Sequence, residues 1–274
     1  MAVKLILSDI DGTILDNQNK IDSNLKDCIK QLNKKEIPFI LASARSPQGM
    51  LALAEELDVM DNPIACFNGA LVVKDLKKDN YTTILNHELD RTEVEHIFNL
   101  LKQKFPQVTI NLYSGVTWYV EKIDKWVKIE ADITKLVPIK TDLKNIIVNS
   151  QIPIHKLLLI GDTDQITKAL KFFQTRFPKS AFYLSKDNYL EVTNKQVSKE
   201  KALRELAKIY RLDLSETMTL GDNFNYVPML ELAGLGVAMD NAPDEVKQSA
   251  RVVTSSNNQN GVSFAIEKYA LKEE

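Results

Sequence analysis

Val3-Lys4-Leu5-Ile6-Leu7-Ser8-Asp9-Ile10-Asp11-Gly12-Thr13 is the stretch on which the reading of this chain turns. Val3 to Leu7 is short, β-branched or leucine-rich, and suits a buried strand, while Asp9 to Thr13 reads as the loop that follows. One strand thus points its carboxyl end at two carboxylates, Asp9 and Asp11. In open parallel sheets that end is where ligands bind.

Outward from this strand, residues 22–35 read as helix, Ile37 to Ala42 as strand and 47–57 as helix. Ile64 to Phe67 is a further apolar run, closed by Asn68-Gly69. Strand and helix in alternation are the signature of a parallel α/β sheet. The alternation returns late in the chain, with a helix at 198–210, a strand at 217–220, a helix around 224–233 and a strand at 235–238. Arg251-Val252-Val253 and a helix from about residue 261 complete it.

The middle differs. A helix at 92–105 precedes a hairpin of 108–113 and 116–121 around Ser114-Gly115. The buried strand Lys156 to Ile160, a helix at 164–176 and paired strands near 181–185 and 189–193 follow. Strands joined by tight turns make a largely antiparallel sheet. The expected fold is α/β, a Rossmann-like parallel-sheet core of residues 1–82 and 191–274 with an α+β domain inserted at 83–190.

Composition agrees with a soluble two-domain protein. The chain has 274 residues, 44% hydrophobic and 26% charged, and 35 Lys+Arg against 37 Asp+Glu leave a formal charge of -2. Such a balance gives no electrostatic case for nucleic acid or an anionic membrane as partner, although a local basic pocket for phosphate remains open. Two isolated cysteines, Cys28 and Cys66, offer neither a disulfide framework nor a thiolate zinc site. The first apolar run is too short for a secretory signal, and no run reaches membrane-spanning length, so a cytoplasmic location is expected. The sequence is silent on oligomeric state.

Four loops sit after strands and carry polar groups: Asp9 with Asp11, Ser43, Asn68-Gly69, and Gly221-Asp222-Asn223. Lys199 adds a cation where a helix begins and unpaired N–H groups also favour an anion. Three carboxylates on neighbouring strand ends are costly to hold together unless a divalent cation sits between them, and Mg2+ is the hard, oxygen-seeking candidate. Asp9 then has the place of a nucleophile toward phosphorus, and Asp11, two residues on, that of the acid and base. Ser43 and Lys199 would hold phosphoryl oxygens. Taken singly, Asp222 and Ser43 could be helix caps and Lys199 a surface lysine. Gly161-Asp162-Thr163-Asp164 also follows an apolar strand, but it lies in the insert and reads as a turn or cap.

The sequence resembles the haloacid dehalogenase-like hydrolases, specifically the Cof-type, sugar-phosphatase-like members with an inserted cap. The elements stand in the family's order: Asp9-Ile10-Asp11-Gly12-Thr13, Leu41-Ala42-Ser43-Ala44-Arg45, Asn68-Gly69-Ala70, Val197-Ser198-Lys199 and Gly221-Asp222-Asn223-Phe224-Asn225. Asn241-Ala242-Pro243 and Asn260-Gly261-Val262 follow. The resemblance implies Asp9 as nucleophile, Asp11 as acid/base, and Asp9, Asp222 and the Asp11 backbone carbonyl as Mg2+ ligands. It also implies that Ser43, Lys199, Arg45, Asn68 and Asn225 serve phosphate or substrate. The expected activity is hydrolysis of small phosphorylated metabolites, sugar phosphates foremost, through an aspartyl phosphate. The alternative is a phosphate-metabolite binder or regulator that has lost turnover. Its motive is Tyr226, which stands where the family carries an aspartate and implies weakened magnesium binding. Glu200, Ala44 and Asp240 replace common glycines.

Overall fold

The computed structural model describes residues 2–148 and 151–272. Its strands, in chain order, are β1 (Leu5–Ser8), β2 (Phe39–Ala42), β3 (Ile64–Cys66), β4 (Leu71–Lys74), β5 (Thr82–Asn86), β6 (Thr109–Ser114) and β7 (Thr117–Val120). They continue as β8 (Ile139–Lys140), β9 (Lys156–Ile160), β10 (Ser180–Lys186), β11 (Tyr189–Asn194), β12 (Thr217–Gly221), β13 (Leu235–Ala238) and β14 (Val252–Val253).

The first sheet runs β14-β13-β12-β1-β2-β3-β4-β5, parallel from β14 to β3 and antiparallel at β4 and β5. Its strands read as nearly continuous apolar runs because both faces are covered. Ile6, Phe39, Leu41, Met218 and Leu220 face helices Leu25–Lys34, Pro47–Leu57 and Gly261–Ile266. Leu5, Leu7, Ile40 and Ala42 face helices Lys199–Ile209 and Val227–Leu232. The chain leaves β1 toward β2 and β3 on one side, then returns through β12 and β13 on the other. β1 is therefore the topological switch point, and Asp9 stands directly beyond its carboxyl end.

The second sheet, β10-β11-β9-β6-β7-β8, is antiparallel except for the β7–β8 pair. Here the side-chain period of two separates the faces. Leu157, Leu159, Leu190 and Val192 pack under helices Arg91–Lys104 and Thr163–Phe173, whereas Leu158, Ile160 and Tyr189 join the cluster that includes Phe67 of the first domain.

The sequence boundaries at 82/83 and 190/191 fall at or within strands. Hydrogen bonding puts Thr82–Asn86 in the first sheet and Tyr189–Asn194 in the second. The expected helix at 224–233 is instead a 3-10 turn, Phe224–Tyr226, followed by helix Val227–Leu232. Pro228 is tolerated only in a helix's first turn, so the α-helix starts beside it.

Candidate functional site

Four strand ends of the first sheet are joined in two pairs by backbone bonds, β1 to β12 and β2 to β3. The Asp9 N–H donates to the Leu220 carbonyl at 3.0 Å, Ser43 N–H to Ala65 at 3.0 Å and Asn68 N–H to the Ser43 carbonyl at 2.8 Å. Gly12 allows the loop after β1 to close on itself. It has φ +81°, and a Cβ there would lie 2.2 Å from Oδ2 of Asp222, so only glycine lets that carboxylate lie against the backbone. Asn241 braces the same loop, donating to the Gly12 carbonyl at 2.8 Å.

Asp9 is 1% exposed. Its Oδ1 accepts from Lys199 Nζ at 3.0 Å and from the Tyr226 hydroxyl at 2.5 Å, while Oδ2 accepts from the Thr13 hydroxyl at 3.3 Å. Lys199 is the first residue of helix Lys199–Ile209, whose start is set by Ser198, the side chain of which accepts from the Lys201 N–H. The ammonium is buried and lies 3.7 Å from the centroid of the Tyr226 ring. Burial pulls its pKa below the usual lysine value, and Asp9 opposes that shift.

Asp222 is pushed up to about 7, first by burial and then by the charge of Asp9. Among the described residues its buried Oδ1 has no hydrogen-bond partner. A carboxylate so placed, next to a second carboxylate, is the environment a hard divalent cation would stabilise. Among the described residues no three His, Cys, Asp or Glu side chains converge as a ligand set. The groups available to hold such a cation are the Asp9 and Asp222 carboxylates and backbone carbonyls of the same loops, and Mg2+ commonly takes one or two carboxylates and keeps several waters.

Asp11 is turned outward, and Arg45 grips it with two bonds, Nη2 to Oδ1 at 2.5 Å and Nε to Oδ2 at 3.2 Å. Ser43 is buried, with Oγ accepting from the Arg45 N–H at 3.3 Å. Asn68, in a left-handed backbone conformation, donates to the hydroxyl of Tyr183 on β10 at 2.8 Å. Asn225 is exposed on the turn beside Tyr226. Asp9, Lys199 and Asp222 thus converge, Arg45 is committed to Asp11, and Asn225 reaches the cluster through a side-chain hydrogen bond to Tyr226. Asp162 and Asp164 of the insert are N-cap and first-turn residues, as a helix start requires.

The second domain supplies groups with no local sequence signal. Lys156 on β9 donates to the Ala44 carbonyl at 3.0 Å and pairs with Glu191 on β11 at 3.5 Å, both side chains buried. Between the domains lies a cleft of about 390 Å³, lined by Asp11, Ser43 and Arg45 on one side and Glu130, Lys156 and Glu191 on the other. Only the inward alternation along β9 and β11 could have revealed Lys156 and Glu191. No helix among the described residues is long and apolar enough to cross a membrane.

With this fold, and a carboxylate at its switch point, the chain belongs to the haloacid dehalogenase-like hydrolases, whose family model matches residues 6–266. The match is to the Cof-type branch, and the protein is a phosphoric monoester hydrolase. A Haemophilus influenzae protein, provisionally named as a phosphatase, is 34% identical over 98% of this chain and 98% of its own length. The 5-amino-6-(5-phospho-D-ribitylamino)uracil phosphatase YwtE of Bacillus subtilis is 26% identical over 97% of this chain and 98% of its own. A haloacid dehalogenase-like hydrolase of Bacteroides thetaiotaomicron superposes with a TM-score of 0.86 at 26% identity, covering 97% of this chain and 99% of that one.

Proposed function

We propose that the protein is a magnesium-dependent phosphatase of small phosphorylated metabolites, sugar or polyol phosphates foremost, working through a phosphoryl group carried on Asp9. The observation that carries this reading is the buried Asp9 carboxylate at the switch point, with Lys199 on one oxygen and a second carboxylate, Asp222, whose pKa is raised by burial and then by the charge of Asp9. When bound, Mg2+ neutralises Asp9, Asp222 and the phosphoryl oxygens, so that anion can approach anion.

Asp9 attacks phosphorus, the new O–P bond forms, and the ester O–P bond breaks in line with it. Asp11, protonated and released from Arg45, gives its proton to the departing alkoxide. The resulting carboxylate takes a proton from water, whose oxygen attacks phosphorus and expels Asp9 as carboxylate with inorganic phosphate. Lys199 and Ser43 hold phosphoryl oxygens as charge moves between them. The inserted α+β domain acts as a cap that excludes water and contacts the leaving group.

Sugar or polyol phosphates suit the cleft, because buried Lys156, Glu130 and Glu191 offer hydrogen bonds to hydroxyls in a volume of about 390 Å³. The ribityl phosphate in the name of the Bacillus subtilis relative has the same chemistry. A cytoplasmic location goes with such substrates. A screen of phosphorylated metabolites with magnesium tests the reading, and release of phosphate from one or more of them is expected. Thermal stabilisation by those ligands without phosphate release would overturn them as substrates.

A further inference from the structure

We infer that Tyr226 is a positioning residue for the nucleophile: its hydroxyl, together with Lys199, holds Oδ1 of Asp9 and leaves Oδ2 as the attacking oxygen. The inference rests on the reading of Asp9 as nucleophile. Two donors converge on Oδ1, the phenol at 2.5 Å and the ammonium at 3.0 Å, whereas among the described residues Oδ2 has only the Thr13 hydroxyl at 3.3 Å. Rotation of the carboxylate about its Cβ–Cγ bond would break both strong contacts at once, so the two oxygens are not interchangeable. Asp9, Lys199 and Tyr226 are 1%, 3% and 8% exposed, and bulk water has little access to replace either donor.

Tyr226 sets both contacts. Besides donating directly, its ring lies 3.7 Å from Lys199 Nζ, near enough to steady the buried cation over its face. The ring is itself fixed from behind, since a Cβ at Gly221 would stand 2.8 Å from Cβ and Cγ of Tyr226. The tyrosine is thus built into the strand end that carries Asp222. A phenol supplies a donor without charge, where the aspartate implied by the family resemblance would add a carboxylate beside Asp9 and Asp222. The missing carboxylate is therefore replaced by a function. The nucleophile is oriented by the chain's own donors, and the cation's contribution is left to charge neutralisation.

The test compares wild type, Tyr226→Phe, Gly221→Ala and Asp9→Asn. Initial rates are taken with the best substrate from the metabolite screen across a magnesium titration, and 19F NMR follows the beryllofluoride adduct on Asp9. Tyr226→Phe keeps the ring and loses the donor, so kcat is expected to fall on the order of 10–100-fold at saturating magnesium with KM nearly unchanged. The beryllofluoride adduct should be depleted in parallel. Gly221→Ala, which displaces the ring without removing its hydroxyl, should show the same split. Wild-type kcat in Tyr226→Phe, or a deficit that excess magnesium fully restores, overturns the inference. An undiminished adduct does the same. Turnover retained by Asp9→Asn would instead remove the nucleophile reading beneath it.

Discussion

Lys156, on the central part of the cap sheet, donates to the carbonyl of Ala44, the residue between Ser43 and Arg45, at 3.0 Å. The same ammonium is paired with Glu191 at 3.5 Å and lies 5.1 Å from the Tyr113 ring centroid. The second domain is therefore joined, by a buried charge at the edge of the cleft, to the loop that carries two of the candidate phosphate-binding residues.

Removal of that charge should separate stability from substrate binding. Lys156→Met leaves Glu191 buried without its partner and is expected to cost about 3–5 kcal/mol in chemical denaturation. Lys156→Met with Glu191→Gln should recover most of that loss, because no lone charge remains. KM should stay raised in both variants, since neither restores the bond to Ala44. A double variant with normal KM would show that the contact is incidental.

His155 makes the cap's attachment sensitive to acid. Its Nδ1 accepts from the Gly115 N–H at 2.9 Å, which leaves the proton on Nε2, 2.8 Å from Oδ1 of Asn86. Both nitrogens are thus committed to the neutral ring, and burial lowers the pKa from 6.5 to about 4. Between those values the unfolded chain takes up a proton that the folded one does not. The stabilisation is complete above pH 6.5 and is lost as pH falls toward 4. The contribution amounts to about 2 kcal/mol by pH 5. Urea melts at pH 7.5 and pH 5 should show wild type losing that much more than His155→Gln, and equal losses would refute the assignment.

Gly12→Ala should act on Asp222 at a distance of one backbone turn. The added methyl meets Oδ2 at 2.2 Å and also strains a residue at φ +81°. Magnesium affinity, read by calorimetry, is expected to fall on the order of 10–100-fold, the range seen when a ligand's orientation is disturbed. An unchanged affinity would place the cation away from Asp222.

Much of the fold is legible in the sequence, because the buried strands of a parallel sheet are apolar on both faces and the helices between them begin at readable caps. Ser46-Pro47 opens one helix, with Ser46 accepting from the Gly49 N–H, and Ser198 opens another. β4, β5 and the helix Lys125–Thr134 were not separable by the same signals. β5 is largely exposed and polar, and that helix draws its stability from Asp124 capping Trp126 and Val127 and from burying Val127 beside Tyr113, Trp118 and Val120 of the second sheet. Within the site, residues of the strand-end motifs could be read, and those on the cap could not. Lys156 looks like one lysine at the head of an apolar run until the sheet shows which face it occupies. Tyr226 was legible as a departure, but the meaning of the departure was not. A tyrosine in place of an aspartate suggests a lost ligand, and only the fold shows its hydroxyl on Asp9.

The most direct test of the account is to quench the reaction in acid with the best substrate and magnesium present and map the phosphoryl adduct by peptide mass spectrometry. Wild type, and more strongly Asp11→Asn, in which the base that activates water is gone, should carry the adduct on the peptide containing Asp9. Asp9→Asn, folded and still able to bind phosphate, should carry none and release no phosphate. Hydrolysis by Asp9→Asn at a rate near that of wild type, with no adduct in any variant, would contradict the account.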